Sequence, residues 1–377
     1  MPPLVESERQ SQHGTWIEID RERLLSNLVT LKGQSAPFAD VIAMIKANGY
    51  GHGLLEIAKP LDGSVSFFGV SSVREALTLK EHQIRSSILI VGRLFPHEMP
   101  AVLTEGISLS VSSLEEAREI ALASEKNFRA TPIHIKVDTG MGRLGIPLAQ
   151  AIAEIEKMNK LPGIILEGIY THFPTAECED GFMSTQVRDF SMMLESLERK
   201  GITFRYRHGA NSAGSLKIHT PVLNLIRPGI MLYGIYPDSS LKEFASVLPV
   251  LSLKSKILFL KSLKPGDSAG YGRDFVADKP TTIALLPIGY SHGYPWRLSN
   301  KSWVIYRGKK FPLAGRVSMD YLAFDLQDTH ASVGDEVTLI GQDGSESIQA
   351  EDLAMWAGTS VYEIITGLDS RLPRISR

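Results

Sequence analysis

Lys46 stands out among the side chains that could do chemistry because of the segment around it. It follows Val41–Ile45, an apolar run that is typical of a buried strand. Burial at a strand end disfavours an ammonium ion, so we expect the pKa of Lys46 to be lowered towards that of a usable nucleophile. The residues that follow, NGYGHG, interrupt regular structure and let the backbone approach a ligand. A lone lysine more often reaches solvent, but a strand, a lysine and a glycine-rich turn with Tyr50 and His52 predict a ligand site.

Four further apolar runs also end in polar or glycine-rich residues. These ends are KVDTGMGR (136–143), THF (171–173), HGANS (208–212) and RPGI (227–230). In a (β/α)8 barrel the carboxyl ends of the strands meet on one rim, which carries the active site. Taken singly, His172 or His208 could be a hydrogen-bonded core histidine, and Arg143 or Arg227 a structural ion-pair partner. Their shared position on one rim therefore carries the functional interpretation.

The last two of these ends also predict an anion site. The loops after the seventh and eighth strands form the usual phosphate site of such barrels. Here Ser212 offers a hydroxyl group, and Gly229 and Ile230 offer backbone amides that can reach an anion. A phosphate-bearing ligand beside a reactive lysine is what pyridoxal 5′-phosphate (PLP) requires.

Strand-like and helix-like segments alternate over about two hundred residues, which predicts an α/β fold with a (β/α)8 TIM-type barrel. The eight strand candidates are Val41–Ile45, Ser66–Val70, Ser87–Val91, Ile107–Val111, Ile133–Val137, Ile164–Tyr170, Phe204–Arg207 and Leu225–Ile226. The helix candidates are Arg21–Leu31, Val73–His82, Leu114–Glu125, Leu148–Asn159 and Met183–Lys200.

The pattern changes after Gly234 and predicts a β-rich domain. The strand-like segments there are Val247–Leu260, Thr281–Pro287, Ser302–Tyr306, Ala323–Leu326 and Glu336–Ile340, and only Ala350–Trp356 and Tyr362–Thr366 look helical. We expect a flexible tail at 1–14, a strand at 15–20 that joins the C-terminal domain, a PLP-binding barrel at 21–240 and a β-rich domain at 241–377.

Composition excludes several classes of protein. The net charge of −2 gives no electrostatic reason to expect nucleic acid or an anionic membrane as a partner. No apolar run approaches the roughly 20 residues that span a bilayer, and residues 1–14 do not resemble a secretory signal. The single cysteine, Cys178, favours a reducing compartment, so we expect a cytoplasmic protein. No histidines, cysteines and carboxylates stand at metal-ligand spacing, so no metal site is expected.

Nine segments resemble those of bacterial alanine racemases, and they occur in the same order. They are AMIKANGYGHG (43–53), KVDTGMGRLG (136–145), YTHF (170–173), HGANSAG (208–214), RPGIMLYGI (227–235), SAGYGRDF (268–275), IGYSHGYPW (288–296), GRVSMD (315–320) and SRLPR (370–374). The resemblance covers nearly everything from Thr15 to Arg374 and implies a PLP-dependent racemase. Members of that family form homodimers whose subunits share their active sites, and the D-alanine that they make supplies peptidoglycan synthesis.

The resemblance implies two catalytic bases and one residue that adjusts how strongly the cofactor ring withdraws electrons. Lys46 would bind PLP as a Schiff base and act as one base, and Tyr271 of the partner subunit would act as the other. Arg227 would contact the pyridine nitrogen. Because arginine keeps its proton, that nitrogen would stay unprotonated and make the ring a weaker electron sink. His172 and His208 would link Arg227 to Tyr271 through hydrogen bonds.

The remaining roles implied by the resemblance concern binding. Arg143 would lie near the phenolic oxygen of the cofactor and the substrate carboxylate, and Lys136, often carbamylated in the family, would position it. The other cofactor contacts would be Tyr50 and Asn211. The phosphate of the cofactor would be bound by Ser212, Gly229 and Ile230. From the partner chain, a backbone group of Met319 would contact the substrate, Tyr290 would narrow the entrance and Asp320 would support them.

Two positions depart from the pattern of relatives. Ser318 stands where some have cysteine, which should matter little, and Ser370 stands where certain relatives have a tyrosine that touches the phosphate. The second change leaves serine open as a substrate beside L-alanine and D-alanine. A PLP decarboxylase of the same fold is a weaker alternative, because it needs a cysteine in its C-terminal half. A single-domain PLP carrier lacks the β domain that holds Tyr271.

Overall fold

The computed structural model describes residues 13–35 and 40–377. The chain forms two compact units. Among the described residues, one unit consists of 25–35, 40–49 and 57–247, and the other of 13–24, 50–56 and 248–377. Of the expected tail, residues 1–12 lie outside the described part. The first strand, β1 (Thr15–Ile19), belongs to the second unit.

The first unit is a closed barrel of eight parallel strands with helices between them, so the predicted (β/α)8 fold is confirmed. Its strands are β2 (Asp40–Met44), β3 (Phe67–Val70), β4 (Ser87–Ile90), β5 (Ser108–Val111), β6 (Thr131–Asp138), β8 (Ile164–Tyr170), β9 (Tyr206–His208) and β10 (Leu225–Ile226), and a two-residue strand, β7 (Ile146–Pro147), pairs with the end of β6. Pairing of β10 with β2, with Leu225 opposite Asp40, and of β5 with β6 closes the ring. Strands appear at all eight predicted positions, and those of β2, β3 and β5 are buried on both faces, as their unbroken apolar runs predict.

Helices alternate with the strands as predicted. They are α1 (Arg21–Gln34), α2 (Leu54–Leu61), α3 (Val73–Glu81), α4 (Pro100–Leu103), α5 (Leu114–Lys126), α6 (Leu148–Met158), α7 (Phe182–Glu198) and α8 (Ser212–Lys217). Serine side chains cap the N-termini of two of these helices. Ser72 caps α3 by accepting from the amide of Glu75, and Ser113 caps α5 by accepting from the amide of Glu116. None of the described helices is long and apolar enough to cross a membrane.

The second unit is built mainly of antiparallel strands. They are β11 (Leu251–Lys256), β12 (Phe259–Leu263), β13 (Ser268–Ala269), β14 (Phe275–Val276), β15 (Thr281–Leu286), β16 (Trp303–Tyr306), β17 (Lys309–Pro312), β18 (Leu322–Asp325), β19 (Glu336–Asp343), β20 (Glu346–Ile348) and β21 (Arg374–Ser376), with helices α9 (Ala350–Ala357) and α10 (Val361–Gly367). Strand β1 pairs with β11 antiparallel and with β21 parallel.

One predicted strand of this unit, Val247–Leu260, is in fact two. Strand β11 pairs with β1 and β19, whereas β12 pairs with β15 in another sheet. The chain changes sheets at Ile257 and Leu258, whose amides donate to the carbonyl groups of Asp335 and Leu285. An unbroken apolar pattern cannot reveal such a change of partner, because both halves still bury one face.

Candidate active site

The segment after β2 forms one turn of left-handed helix. Ala47, Asn48 and Tyr50 have φ angles of 53°, 55° and 51°, and Gly49 lies between them at 61°. Non-glycine residues adopt this conformation at a cost of about 1–2 kcal/mol each, so other contacts must hold it. The Glu75 carboxylate accepts from the Asn48 amide at 3.1 Å and so supports the turn from α3.

Lys46 opens this turn and is half-buried, as the sequence predicts. Burial lowers its pKa, the charge of Arg143 lowers it further, and the Glu75 carboxylate partly opposes both. Lys136 on β6 is buried, and burial together with the charges of Arg143 and Arg227 lowers its pKa to about 8. Four cationic groups therefore share the mouth of one barrel, an arrangement that favours an anionic ligand.

The loop that carries Arg143 is organised by a carboxylate at the end of β6. Asp138 accepts from the amides of Gly140 at 2.9 Å and Gly142 at 3.0 Å. Both glycines have positive φ angles, 137° and 68°, so the loop can wrap around the carboxylate. Arg143 follows directly and is exposed.

Arg227 is buried and held from several sides. Its guanidinium donates to the carbonyl groups of Thr171 at 2.9 Å and Gly209 at 3.2 Å. It also donates to His208 Nδ1 at 2.8 Å and His172 Nδ1 at 3.1 Å. Because arginine can only donate, both imidazole Nδ1 atoms are acceptors and any ring proton is on Nε2.

Both histidines are neutral at physiological pH. Burial lowers the pKa of His172 to about 3, with Arg227 and Arg143 adding to the effect. Burial also lowers the pKa of His208 well below its usual value, again with a contribution from Arg227. Two uncharged imidazoles therefore flank one permanent cation.

Backbone donors converge beside the first turn of α8. Ser212 Oγ accepts from the amides of Gly229 at 3.0 Å and Met231 at 3.3 Å. Ile230 lies between these two donors and is buried. Asn211 caps α8 by accepting from the Gly214 amide, and its Nδ2 donates to the Phe173 carbonyl, so it ties this loop to the end of β8.

Tyr271 belongs to the second unit and lies at the tip of a hairpin. Strands β13 and β14 pair so that Ala269 lies opposite Phe275, and the turn between them carries the phenol. Its side chain is 72% exposed. Gly270 and Gly272 flank it with φ angles of 74°, a conformation that favours glycine. The hairpin therefore presents Tyr271 to whatever covers this surface.

Tyr290, Met319 and Asp320 come together in two adjoining loops of the second unit. The Tyr290 amide donates to the Ser318 carbonyl at 3.0 Å, and Ser291 bonds both the Met319 carbonyl and the Asp320 carboxylate, each at 3.0 Å. A Cβ atom on Gly289 would lie 2.2 Å from the Ser318 oxygen, so this close approach requires glycine. Tyr271, Met319 and Asp320 line one groove of about 560 Å³.

Tyr362 is a candidate site residue that sequence reasoning missed. It lies on α10, and its ring centroid is 6.3 Å from that of Tyr50 in the same unit. Ser370 is exposed beyond the end of α10. Tyr50 is therefore accompanied by a second phenol in spite of the serine at 370. The sequence does show a tyrosine in the helical segment TSVYE (359–363). The helical pattern does not reveal, however, that this tyrosine packs near Tyr50.

The residues in the barrel fit PLP. The Ser212 hydroxyl and the backbone amides gathered around it suit the phosphate of the cofactor. Lys46, whose pKa is lowered, suits attack on its carbonyl carbon. The buried Arg227 could face its ring nitrogen. Within residues 13–35 and 40–377, no group of three or more His, Cys, Asp or Glu residues is placed to hold a metal ion.

Known alanine racemases match this chain over nearly its full length. Residues 19–237 match the model of the alanine racemase N-terminal domain, and residues 250–376 match that of the C-terminal domain. The chain is 36% identical over 365 residues to the alanine racemase of Desulforamulus reducens, which covers 96% of this chain and 98% of that protein. The solved alanine racemase of Clostridium difficile 630 aligns with a TM-score of 0.92 and 32% identity, covering 97% of this chain and 96% of that one. A histidine racemase from Leuconostoc mesenteroides aligns with a TM-score of 0.88 and 27% identity, covering 97% and 98%.

Proposed function

The chain belongs to the alanine racemase family of amino-acid racemases, and we propose that it interconverts L-alanine and D-alanine with PLP as its cofactor. The observation that carries this proposal is one barrel mouth that combines Lys46, Arg143 and Arg227 with amide donors converging on Ser212. Cationic groups, an amine with a lowered pKa and backbone amides gathered around Ser212 support both a phosphate-bearing cofactor and an amino-acid carboxylate.

Lys46 would hold the cofactor covalently, and Ser212, Gly229 and Ile230 would hold its phosphate. Tyr50, Asn211 and His172 would complete the binding surface. When bound, PLP accepts the electron pair that remains on the α-carbon after its proton is removed. The protein must then supply bases, orientation and exclusion of competing reactions.

Arg227 would set how strongly the cofactor ring withdraws electrons. Its guanidinium keeps its own proton and has four hydrogen bonds to the barrel, so it would offer a fixed cation to a ring nitrogen of the cofactor. A ring nitrogen beside that cation would remain unprotonated. The lifetime of the carbanion would then be short, which favours proton return over transamination.

Racemisation requires a proton to leave one face of the α-carbon and to return on the other. Lys46 would serve one face, because burial makes its amine available as a base nearer neutral pH. Tyr271 would serve the other face from a partner subunit, and its exposed position on a hairpin tip supports that role. We therefore propose a homodimer whose two sites each use residues of both chains.

Arg143 would bind the substrate carboxylate, and Lys136 would position Arg143. Met319, Tyr290 and Asp320 of the partner subunit would close the entrance. D-alanine made here would supply peptidoglycan synthesis, as the family resemblance implies.

A racemase of different or broader specificity is the second candidate. A histidine racemase shares this fold at 27% identity, so the fold alone does not fix the substrate side chain. The PLP carrier is disfavoured because the C-terminal domain model matches residues 250–376. The decarboxylase is disfavoured because Cys178 is the only cysteine and lies in the barrel part of the chain.

A racemisation assay tests the proposal. Purified protein should interconvert L-alanine and D-alanine with added PLP and lose this activity after the cofactor is removed. L-serine and L-histidine should be converted at least tenfold more slowly, a difference of about 1.4 kcal/mol in transition-state binding. Faster conversion of either would assign the broader racemase, and no conversion of any amino acid would refute the proposal.

A further inference from the structure

A chain of hydrogen bonds connects Arg227 to the half-buried carboxylate of Glu167 on β8. Arg227 Nη1 donates to His208 Nδ1 at 2.8 Å, and His208 Nε2 lies 2.8 Å from His134 Nδ1. His134 Nε2 in turn lies 3.2 Å from Glu167 Oε2. The Glu167 carboxylate also accepts from Ser108 Oγ at 2.6 Å. Neither histidine has any exposed surface.

The direction of every proton in this chain follows from its two ends. Arginine can only donate, so His208 Nδ1 accepts and His208 must carry its proton on Nε2. That proton is donated to His134 Nδ1, which leaves the His134 proton on Nε2, facing Glu167. A carboxylate is an acceptor, so the last bond is satisfied as well. A second proton on either ring would set two donors against each other, and burial already lowers the pKa of both histidines.

The strands are shaped locally to hold the His134 ring. The register of β6 against β8 shifts between Ile133 and His134, and Gly168 pairs with His134. A Cβ atom on Gly168 would lie 2.5 Å from His134 Nδ1, so only glycine leaves room for the imidazole there. Phe67 meets the ring edge-on with centroids 5.4 Å apart. The histidine is therefore fixed in position as well as in tautomer.

We propose that Glu167 is a positioning residue that acts as the counter-ion of Arg227 through the two imidazoles. Its negative charge polarises both N–H groups towards itself, which strengthens the acceptor that each ring offers to its neighbour. Arg227 is thereby held in place and its positive charge is partly offset without a direct ion pair. The catalytic part of this inference rests on the role proposed for Arg227 above.

The test uses the holoenzyme with 15N-labelled histidine and the variants Glu167→Gln, Gly168→Ala and Asp62→Asn. The glutamine keeps an acceptor for His134 but removes the charge. The Asp62 variant is a matched control, because that carboxylate accepts several hydrogen bonds from Arg85 and Ser86 elsewhere in the barrel. Variants His134→Gln and His208→Gln assign the imidazole signals in NMR spectra.

In wild type, both imidazoles should carry the proton on Nε2 and show no titration from about pH 6 to about pH 9. Glu167→Gln should shift the Nε2–H signals of both His134 and His208, although only His134 touches Glu167. The kcat for racemisation should fall roughly tenfold while KM changes by less than about twofold. Gly168→Ala should shift the His208 signal by displacing the His134 ring. Asp62→Asn should lower the melting temperature and leave both signals and kcat unchanged.

Three results would overturn the inference. They are a proton on Nδ1 of either ring in wild type, a shift in Glu167→Gln that is confined to His134, and a kcat in Glu167→Gln that equals wild type. Absence of racemisation in wild type would instead refute the proposed function. The NMR signals would still test whether the hydrogen bonds from Arg227 to Glu167 exist, because they do not depend on activity.

Discussion

The Arg374 guanidinium donates two hydrogen bonds to the carbonyl oxygen of Gly51, at 3.2 and 2.8 Å. The C-terminal strand thereby holds the glycine-rich turn that follows Lys46 and Tyr50. Gly51 itself has a φ angle of 81°, and a Cβ atom there would lie 1.8 Å from the carbonyl oxygen of Ile365. The position of Tyr50 therefore depends on residues more than three hundred positions away, in the same unit of the fold.

Arg374→Lys should destabilise the protein by about 2 kcal/mol, because an ammonium cannot reproduce the fork of bonds that the arginine makes to carbonyl groups. Besides Gly51, those acceptors are the carbonyl groups of Asp369, Leu372 and Leu368. Urea denaturation measures the change. Arg371→Lys is the control: Arg371 is exposed and pairs with the Asp369 carboxylate, so little change is expected. Equal losses in the two variants would argue against a special role of Arg374.

Lys46→Ala should abolish covalent attachment of PLP. In wild type, borohydride reduction should fix the cofactor to the peptide that contains Lys46, because this amine has the environment of a nucleophile. Mass spectrometry of a digest identifies the labelled residue. Lys136 is the internal control, since its pKa is lowered as well but it lies on β6. Labelling of Lys136 in place of Lys46 would refute the assignment.

Lys136 should make the stability of the cofactor-free protein depend on alkaline pH. Burial lowers its pKa from 10.5 to about 8, so between these values the unfolded chain binds more protons than the folded one. Stability should therefore rise with pH across this window, and below it the charged lysine costs on the order of 3 kcal/mol.

Lys136→Met removes that cost and should stabilise the cofactor-free protein at pH 7 by up to about 3 kcal/mol. The gain should shrink as the pH rises from about 8 and vanish only above pH 10.5, where the lysine is neutral in both the folded and the unfolded chain. Urea denaturation at several pH values measures this. Lys160→Met serves as the control because Lys160 is exposed. A difference between Lys136→Met and wild type that stays constant with pH would contradict the explanation.

The sequence predicted the barrel well, and the reason is physical. Strands such as Val41–Ile45 are buried on both faces, so their composition alone distinguishes them, and their carboxyl ends then lie on one rim by topology. The left-handed turn at Lys46–Tyr50 could not be predicted. Asn48 and Gly49 tolerate positive φ, but Ala47 and Tyr50 do not favour it, and the distant Glu75 carboxylate supports the turn.

His134 was missed for a related reason. It lies in the middle of an apolar strand, where a histidine is usually a satisfied core residue. Its connection to Glu167 depends on a register shift and on the missing Cβ atom of Gly168, and neither is visible in the pattern of one strand. Tyr362 was missed because the approach of α10 to Tyr50 is a tertiary contact.

Tyr271→Phe should abolish racemisation while PLP still binds through Lys46, because the variant lacks only the phenolic proton carrier. Exchange of the α-proton of D-alanine with solvent should persist without formation of L-alanine, if Lys46 serves the D-alanine face. Proton NMR in heavy water measures the exchange. Tyr321→Phe is the control, since it removes another exposed phenol of the same groove. Undiminished racemisation by Tyr271→Phe would show that the phenol is not a base.

A mixture of Lys46→Ala and Tyr271→Phe homodimers tests whether sites are shared between subunits. Each parent should be nearly inactive, because every one of its sites lacks a base. After subunit exchange, a heterodimer has one site with both defects and one site that combines an intact Lys46 with an intact Tyr271. Random exchange makes half the dimers mixed, so activity should reach roughly 25% of wild type if pairing is independent of the substitutions. Size-exclusion chromatography of differently tagged subunits verifies the exchange. A fully exchanged mixture as inactive as its parents would show that the two residues do not meet across an interface.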